Sequence, residues 1–359
     1  MKIAIILGTR PELIKMSPII MELEKQNLDY FILHTGQHYS YSLDKVFFEE
    51  LGLPEPKYNL MVGSGTHAEE TSKIMVGVEK ILLREKPDIV LVEGDTNTVL
   101  AGALAAVKLK IVVGHVEAGL RSYDRKMPEE INRILTDHVS DMLFTPTLKA
   151  KYNLLKEGIS EARIFITGNT IVDALIQNLK RINDFNILDK LGIHQNDYFL
   201  VTLHREENVD DRKRLSKILE GLTTVHKEFD MPVIFPIHPR TKKRMEEFNL
   251  NPKGLILIEP LGYLDFLKLE SKARLVLTDS GGIQEEACVL KVPCVTLRDS
   301  TERPETIEVG ANMLTDANPK NILEKVGFML KRSRNWENPL GDGKAGRRIV
   351  EILVGWKSG

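Results

Sequence analysis

Cysteine is nearly absent from this chain of 359 residues, which holds only Cys288 and Cys294. The two sit close together in apolar surroundings and read as small buried hydrophobes, not as a disulfide or redox pair. No oxidising compartment is implied. An excess of one charge sign is missing too, since 49 basic residues face 51 acidic ones for a net charge of −2. Without a polycationic surface to release counterions from a phosphate backbone, nucleic acid is not an expected partner. No apolar run approaches the roughly 18 residues of a membrane span, and the run at 3–7 is too short for a signal-peptide core. A cytoplasmic protein without membrane contact is expected.

Several chemical signatures are also lacking. No Gly-x-Gly-x-x-Gly follows the first apolar run, which argues against a nicotinamide or flavin cofactor, and no phosphate loop ends in Gly-Lys-Ser or Gly-Lys-Thr. The nine histidines are scattered without zinc spacing. No Gly-x-Ser-x-Gly elbow supports a serine nucleophile.

What is present is an ordinary globular composition, 42% hydrophobic and 28% charged. At roughly 150 residues per domain, the length predicts two domains. Short β-branched runs alternate with helical-period segments throughout, the pattern of parallel sheets covered on both faces by helices. The first half predicts strands at 3–7, 30–34, 89–92, 111–115, 142–145 and 164–167. After a long helical segment and a stretch of mixed polarity at 185–197, the alternation restarts. Strands are expected at 199–203, 233–237, 255–258, 275–278, 295–297 and 311–314, with a final helix over 344–356. Two doubly wound α/β domains in series follow, divided near residue 170.

In open parallel sheets, ligands bind beyond the carboxyl ends of the strands. The residues found there are Gly8-Thr9-Arg10, Glu93-Gly94-Asp95 and His115-Val116-Glu117 in the first half. In the second they are His204-Arg205-Glu206, His238-Pro239-Arg240, Asp279-Ser280-Gly281-Gly282 and Arg298-Asp299. Two domains turning these edges toward each other would enclose a cleft of acids, bases and cations.

The strongest anion site is 278–282, a strand turning through Ser280, Gly281 and Gly282 into a helix, whose free N–H groups and dipole attract phosphate oxygens. Glu286 lies one turn on and can reach a ribose diol. The bland alternative is a plain turn with a capping serine. At the first strand, Pro11 suits a helix start, and Arg10 and Lys15 are either ligand cations or surface charges. Glu129 and Arg133, four apart after Pro128, read equally as catalytic groups or as a solvated ion pair.

Taken together, these residues resemble the non-hydrolysing UDP-N-acetylglucosamine 2-epimerases. The matching pieces are Gly8-Thr9-Arg10-Pro11-Glu12 with Lys15, Gly94-Asp95-Thr96, residues 114–121, Pro128-Glu129-Glu130 with Asn132-Arg133, residues 166–170, His204-Arg205, residues 278–286 and Thr301-Glu302-Arg303-Pro304-Glu305. They occur in family order over essentially the full length. The resemblance implies a glycosyltransferase-B-like fold of two Rossmann-like domains with a cleft between them. The first would comprise 1–170, rejoined by a last helix at 344–359, and the second, UDP-binding domain 171–343. It implies reversible epimerisation at carbon 2 of UDP-N-acetylglucosamine to UDP-N-acetylmannosamine, through elimination of UDP to a bound 2-acetamidoglucal and re-addition. A cytoplasmic homodimer needing no metal or nicotinamide is implied as well.

By the same resemblance, Asp95, Glu117, Glu129 and His204 are the acid–base residues. Arg10, Lys15, Arg133, His238, Leu261, Phe266, Ser280, Gly281, Gly282, Glu286 and Arg303 are substrate contacts, with the 260–266 turn at uracil. Gln37 and His38, with Arg205, resemble part of a regulatory substrate site, but Tyr39 and Ser40 stand where that pattern has an Arg and a Gln. After His204-Arg205 an acid, Glu206, replaces a second Arg of many relatives. Hydrolysing epimerases, the nearest rivals, usually lack the Pro-Glu that Pro11-Glu12 supplies here. A glycosyltransferase would not need so many first-domain carboxylates, and a non-catalytic UDP-sugar sensor would leave them without a task.

Overall fold

The apolar runs become strands because helices bury them from both sides. In the computed structural model, which describes residues 1–36 and 41–356, the first sheet contains β1 (Lys2–Leu7), β2 (Asp29–His34), β3 (Tyr58–Asn59), β4 (Ile89–Glu93), β5 (Val112–Val116), β6 (Met142–Thr145) and β7 (Ile164–Ile166). The second contains β8 (Phe199–Thr202), β9 (Val233–Pro236), β10 (Leu255–Ile258), β11 (Leu275–Thr278), β12 (Cys294–Leu297) and β13 (Asn312–Thr315). Every strand expected from sequence forms. The addition is β3, a two-residue edge strand beside β2, too short to leave a periodic trace.

The chain divides into two units, one formed by Met1–Gln177 with Leu340–Gly359 and the other by Asn178–Pro339. The first crossing falls inside the helix Thr170–Leu179. The first unit's sheet runs β3-β2-β1-β4-β5-β6-β7, the second's β10-β9-β8-β11-β12-β13, and the pairings are parallel. Both are doubly wound Rossmann-like sheets whose order reverses next to their first strand.

Alternation along a strand sends neighbours to opposite cores. In β8, Phe199 and Val201 join Leu215, Ile218 and Leu222 of the helix Arg212–Phe229 and Ile322 and Val326 of the helix Pro319–Leu330. Leu200, between them, joins Leu269, Ala287 and Cys294 on the other face. Each fully buried Leu or Ile of this kind contributes about 1.5–3 kcal/mol. Both cysteines are free thiols in the buried interior, in keeping with their apolar neighbourhoods. In the first unit, Ala4 and Ile6 pack with Phe31, Leu33, Val90 and Val92 under Ile74, Val78 and Leu82 of the helix His67–Glu85. Among the described residues, no helix is long and apolar enough to cross a membrane.

The last helix, Ala345–Gly355, lies on the helix Arg10–Lys25 of the first unit. Gly346 permits the approach: a Cβ there would stand 2.9 Å from the backbone carbon of Pro18, while its N–H donates to Asp173 at 2.9 Å. Alanine ordinarily favours a helix by about 1 kcal/mol over glycine. Here the new methyl would meet backbone, which yields little, so Gly346→Ala is expected to destabilise by about 1–3 kcal/mol. Thermal unfolding checks the sign: a Tm at or above the wild-type value would contradict it.

Candidate active site

In both sheets, the reversal of strand order opens a gap beyond the carboxyl ends of two adjacent strands. In the first unit these strands are β1 and β4, joined in the gap by Glu12. This residue belongs to the capping box of the helix Arg10–Lys25 and accepts from Gly8 N at 2.6 Å, Thr9 N at 3.2 Å and the Thr96 hydroxyl at 2.5 Å. Burial pushes its carboxyl up to about 7 against the pull of these donors.

Lys15, one turn further on and buried, pairs with Glu117 and stands 3.7 Å from Glu93 at the end of β4. One ammonium therefore stands beside both acids. Glu93 is held well above the usual carboxylate range, chiefly by burial; Lys15 opposes this, and Glu117, Glu12 and Asp95 add to it. Glu117 adopts the left-handed region at φ 67°, rare for a residue with a side chain. The following backbone holds it there, with Ala118 N donating to Phe144 O at 3.1 Å and Gly119 N to Asp137 at 3.2 Å. Asp137 is wholly buried and also takes His115 Nδ1 and Arg121, both at 2.7 Å. His115, tied at its other nitrogen to Gly94 O at 2.8 Å, is thereby a strut between the two loops.

Asp95 follows β4 and pairs with Arg133, which also binds Glu130. Asn132 donates to the Asp95 backbone carbonyl at 2.9 Å. Glu129 stands half-buried in the first turn of the helix Pro128–Val139. The Arg10 guanidinium lies over the Phe47 ring, 4.5 Å from its centre. The structure thus places Asp95 and Glu117, each paired with a cation, at the ends of the adjacent strands β4 and β5. Gln37 and His38 lie outside the described residues.

In the second unit the gap lies between β8 and β11. Asp279, wholly buried, accepts from the backbone N–H groups of His204 at 3.1 Å and Arg205 at 2.9 Å, and from Asn208 at 3.1 Å. His204 Nδ1 is 3.2 Å away. Burial alone would raise this carboxyl, but His204 and the converging donors hold it down at about 2. The ring of His204 stands 5.5 Å from that of His238, centre to centre.

Beyond Asp279, the helix Gly281–Val289 begins at Ser280, whose side chain makes no capping bond. The capping-serine alternative is therefore not what is seen. A Cβ on Gly281 would come within 2.6 Å of Glu302 and 3.5 Å of the Arg303 guanidinium, whereas one on Gly282 would meet only Ser280 Oγ at 3.9 Å. The helix N-terminus is thus open at Gly282 and has a cation beside it. Arg303 binds Glu285 at 2.5 Å, and Glu302 lies 2.9 Å from Arg298 and 3.5 Å from both Arg205 and Arg303. Glu206, the acid in place of an arginine, pairs with Arg240 at 2.6 Å. Leu261 and Phe266 are half-buried against the core, and Glu286 is buried on the helix.

Sequence reasoning missed Asp137, and it gave Glu93 and Asp279 no role beyond their place at the strand ends. Asp137 did leave a trace, since Glu130, Arg133 and Asp137 recur at helical spacing on the buried face of one helix. Among the described residues, no group of three or more His, Cys, Asp or Glu could hold a metal ion.

A family profile described as UDP-N-acetylglucosamine 2-epimerase matches residues 21–354. The UDP-N-acetylglucosamine 2-epimerase of Methanocaldococcus jannaschii is 61% identical over 99% of both chains. A crystal structure of a UDP-GlcNAc 2-epimerase from that organism in complex with UDP-GlcNAc and UDP matches with a TM-score of 0.96, at 61% identity, covering 99% of this chain and 100% of that one. The Neisseria meningitidis UDP-GlcNAc 2-epimerase bound to UDP-GlcNAc matches with a TM-score of 0.92 at 36% identity, over 99% and 100% of the two chains. The fold is that of the glycosyltransferase-B-like epimerases, and the chain belongs to the UDP-N-acetylglucosamine 2-epimerase family.

Proposed function

We propose that this protein interconverts UDP-N-acetylglucosamine and UDP-N-acetylmannosamine without releasing the sugar, acting as a cytoplasmic homodimer. The observation that carries the reading is the pair of carboxylates, Asp95 and Glu117, each set against a cation at adjacent strand ends. The hydrogen on sugar carbon 2 is not next to a carbonyl, so a base cannot simply remove and return it. The bond from carbon 1 to the UDP oxygen breaks first, leaving an oxocarbenium-like centre that acidifies that hydrogen. A carboxylate takes the proton, giving a 2-acetamidoglucal beside UDP. Re-addition of the UDP oxygen at carbon 1, with protonation of carbon 2 from the other face, gives the epimer.

Acid–base groups on two sides of the ring are needed, and Asp95, Glu117 and Glu129 are the candidates, with His204 beside the sugar or diphosphate. The open helix start at Ser280, Gly281 and Gly282, with Arg303 and His238, suits a departing diphosphate whose charge grows in the transition state. Glu286 suits the ribose diol, Leu261 and Phe266 the uracil, and Arg10, Lys15 and Arg133 complete the contacts. The chemistry uses no metal or nicotinamide.

Incubation with UDP-N-acetylglucosamine in deuterium oxide, followed by proton NMR, tests the reading. Both UDP-sugars should reach equilibrium with deuterium at carbon 2 and little free UDP. Stoichiometric UDP with free N-acetylmannosamine would indicate the hydrolysing reaction, and no turnover a sensor.

A further inference from the structure

The mechanism above gives no task to one buried acid of the second unit. The helix Tyr263–Lys272 turns Tyr263, Leu264, Leu267 and Glu270 inward at helical spacing, so a carboxyl occupies a position on an apolar stripe. Glu270 is 0% exposed and Glu286, on the helix Gly281–Val289, 5%. The Glu286 carboxyl is the side chain that faces Glu270 within hydrogen-bonding reach. Among the described residues, no protein N–H or O–H group donates to either Glu270 oxygen.

Two ionised carboxylates are acceptors only, so a hydrogen bond between this pair requires a shared proton. The other titratable groups near Glu270 cannot neutralise it. Tyr263 on its own helix, Tyr198 ahead of β8 and Cys294 on β12 are all held protonated by burial, and each feels Glu270 as a negative neighbour. The Tyr198 hydroxyl is already committed to Leu269 O at 2.5 Å. Burial, with the charge and hydrogen bond of Glu286, raises Glu270 well above the carboxylate range.

We infer that Glu270 is a positioning residue whose neutral carboxyl donates its O–H to Glu286, holding that side chain anionic and in one orientation to accept from the vicinal diol of a ribose. The inference rests on the reading of Glu286 as the ribose ligand. A carboxylate fastened through one oxygen loses less conformational freedom when the sugar binds, and hydrogen bonds to a charged acceptor are the stronger kind.

The test compares wild type with Glu270→Gln, Glu270→Leu and Glu286→Gln by calorimetric titration with UDP and with 2′,3′-dideoxy-UDP, which lacks the diol. Glu270→Leu should weaken UDP about tenfold, the equivalent of one charge-assisted hydrogen bond, and leave the dideoxy compound unchanged. Glu270→Gln keeps a donor and should restore UDP binding to within about twofold of wild type. An infrared difference spectrum, wild type minus Glu270→Gln at neutral pH, should contain the C=O stretch of a protonated carboxylic acid. Absence of that band overturns the proposal whether or not the leucine variant folds. So does a Glu270→Leu enzyme that keeps the wild-type preference for UDP while Glu286→Gln loses it, an outcome that leaves the ribose reading standing. If Glu286→Gln itself keeps the preference, the ribose reading fails and the positioning role fails with it.

Discussion

Glu117→Gln is expected to lower kcat by about 10²–10⁴, the usual range for removing an acid–base group, while UDP affinity stays within about threefold. The amide is nearly isosteric and can take the same backbone conformation, which Ala118 and Gly119 hold by hydrogen bonds of their own. What it cannot do is accept the carbon-2 proton or balance Lys15. That ammonium remains 3.7 Å from Glu93, whose ionisation the Glu117 charge opposes in the wild type, so the buried cation is not stranded and the fold should survive. Steady-state epimerisation and equilibrium titration with UDP separate the two effects. A variant turning over at near wild-type rate would remove Glu117 from the reaction, and one that lost UDP binding in parallel would mean that the nucleotide site had been disturbed.

The second large effect concerns stability. Asp279→Ala should cost about 3–5 kcal/mol, because it deletes one buried charge and leaves several donors facing a hole. The donors are the His204 and Arg205 N–H groups and Asn208, all now satisfied by this carboxylate. The same residue gives the wild type a defined acid limb. Its native value, about 2, lies below the unfolded value of 3.8. The stabilisation is therefore fully present above pH 3.8 and is lost as pH falls toward 2. Denaturant unfolding of wild type and Asp279→Ala across that interval should show the two converging as acid is added. A gap that stays constant would mean that this carboxylate's charge is not what stabilises the loop.

Strands were legible because a doubly covered parallel sheet writes an apolar run wherever a strand is buried on both faces, as in Ile3 to Leu7 and in β8. The edge strand Tyr58–Asn59 wrote nothing. Loops carrying polar groups could be located because ligands sit beyond strand ends, so Asp95, Glu117, His204 and Ser280 stood out by position alone. Their partners did not, because pairing in space is not spacing in sequence. Arg133, four residues from Glu129, meets Glu130 at three residues and Asp95 at a separation of 38. Asp279 and His204 are 75 apart and touch only because β8 and β11 are neighbours. Glu270 shows the converse: a charge on an apolar stripe is visible in sequence, but its partner on another helix is not.

The return of residues 340–359 to the first unit makes the second unit an uninterrupted stretch of chain, 178–339, inserted into the first. During synthesis that stretch can collapse as soon as it has emerged from the ribosome. The amino-terminal portion, though made earlier, must wait with its Pro18 surface uncovered until the closing helix arrives.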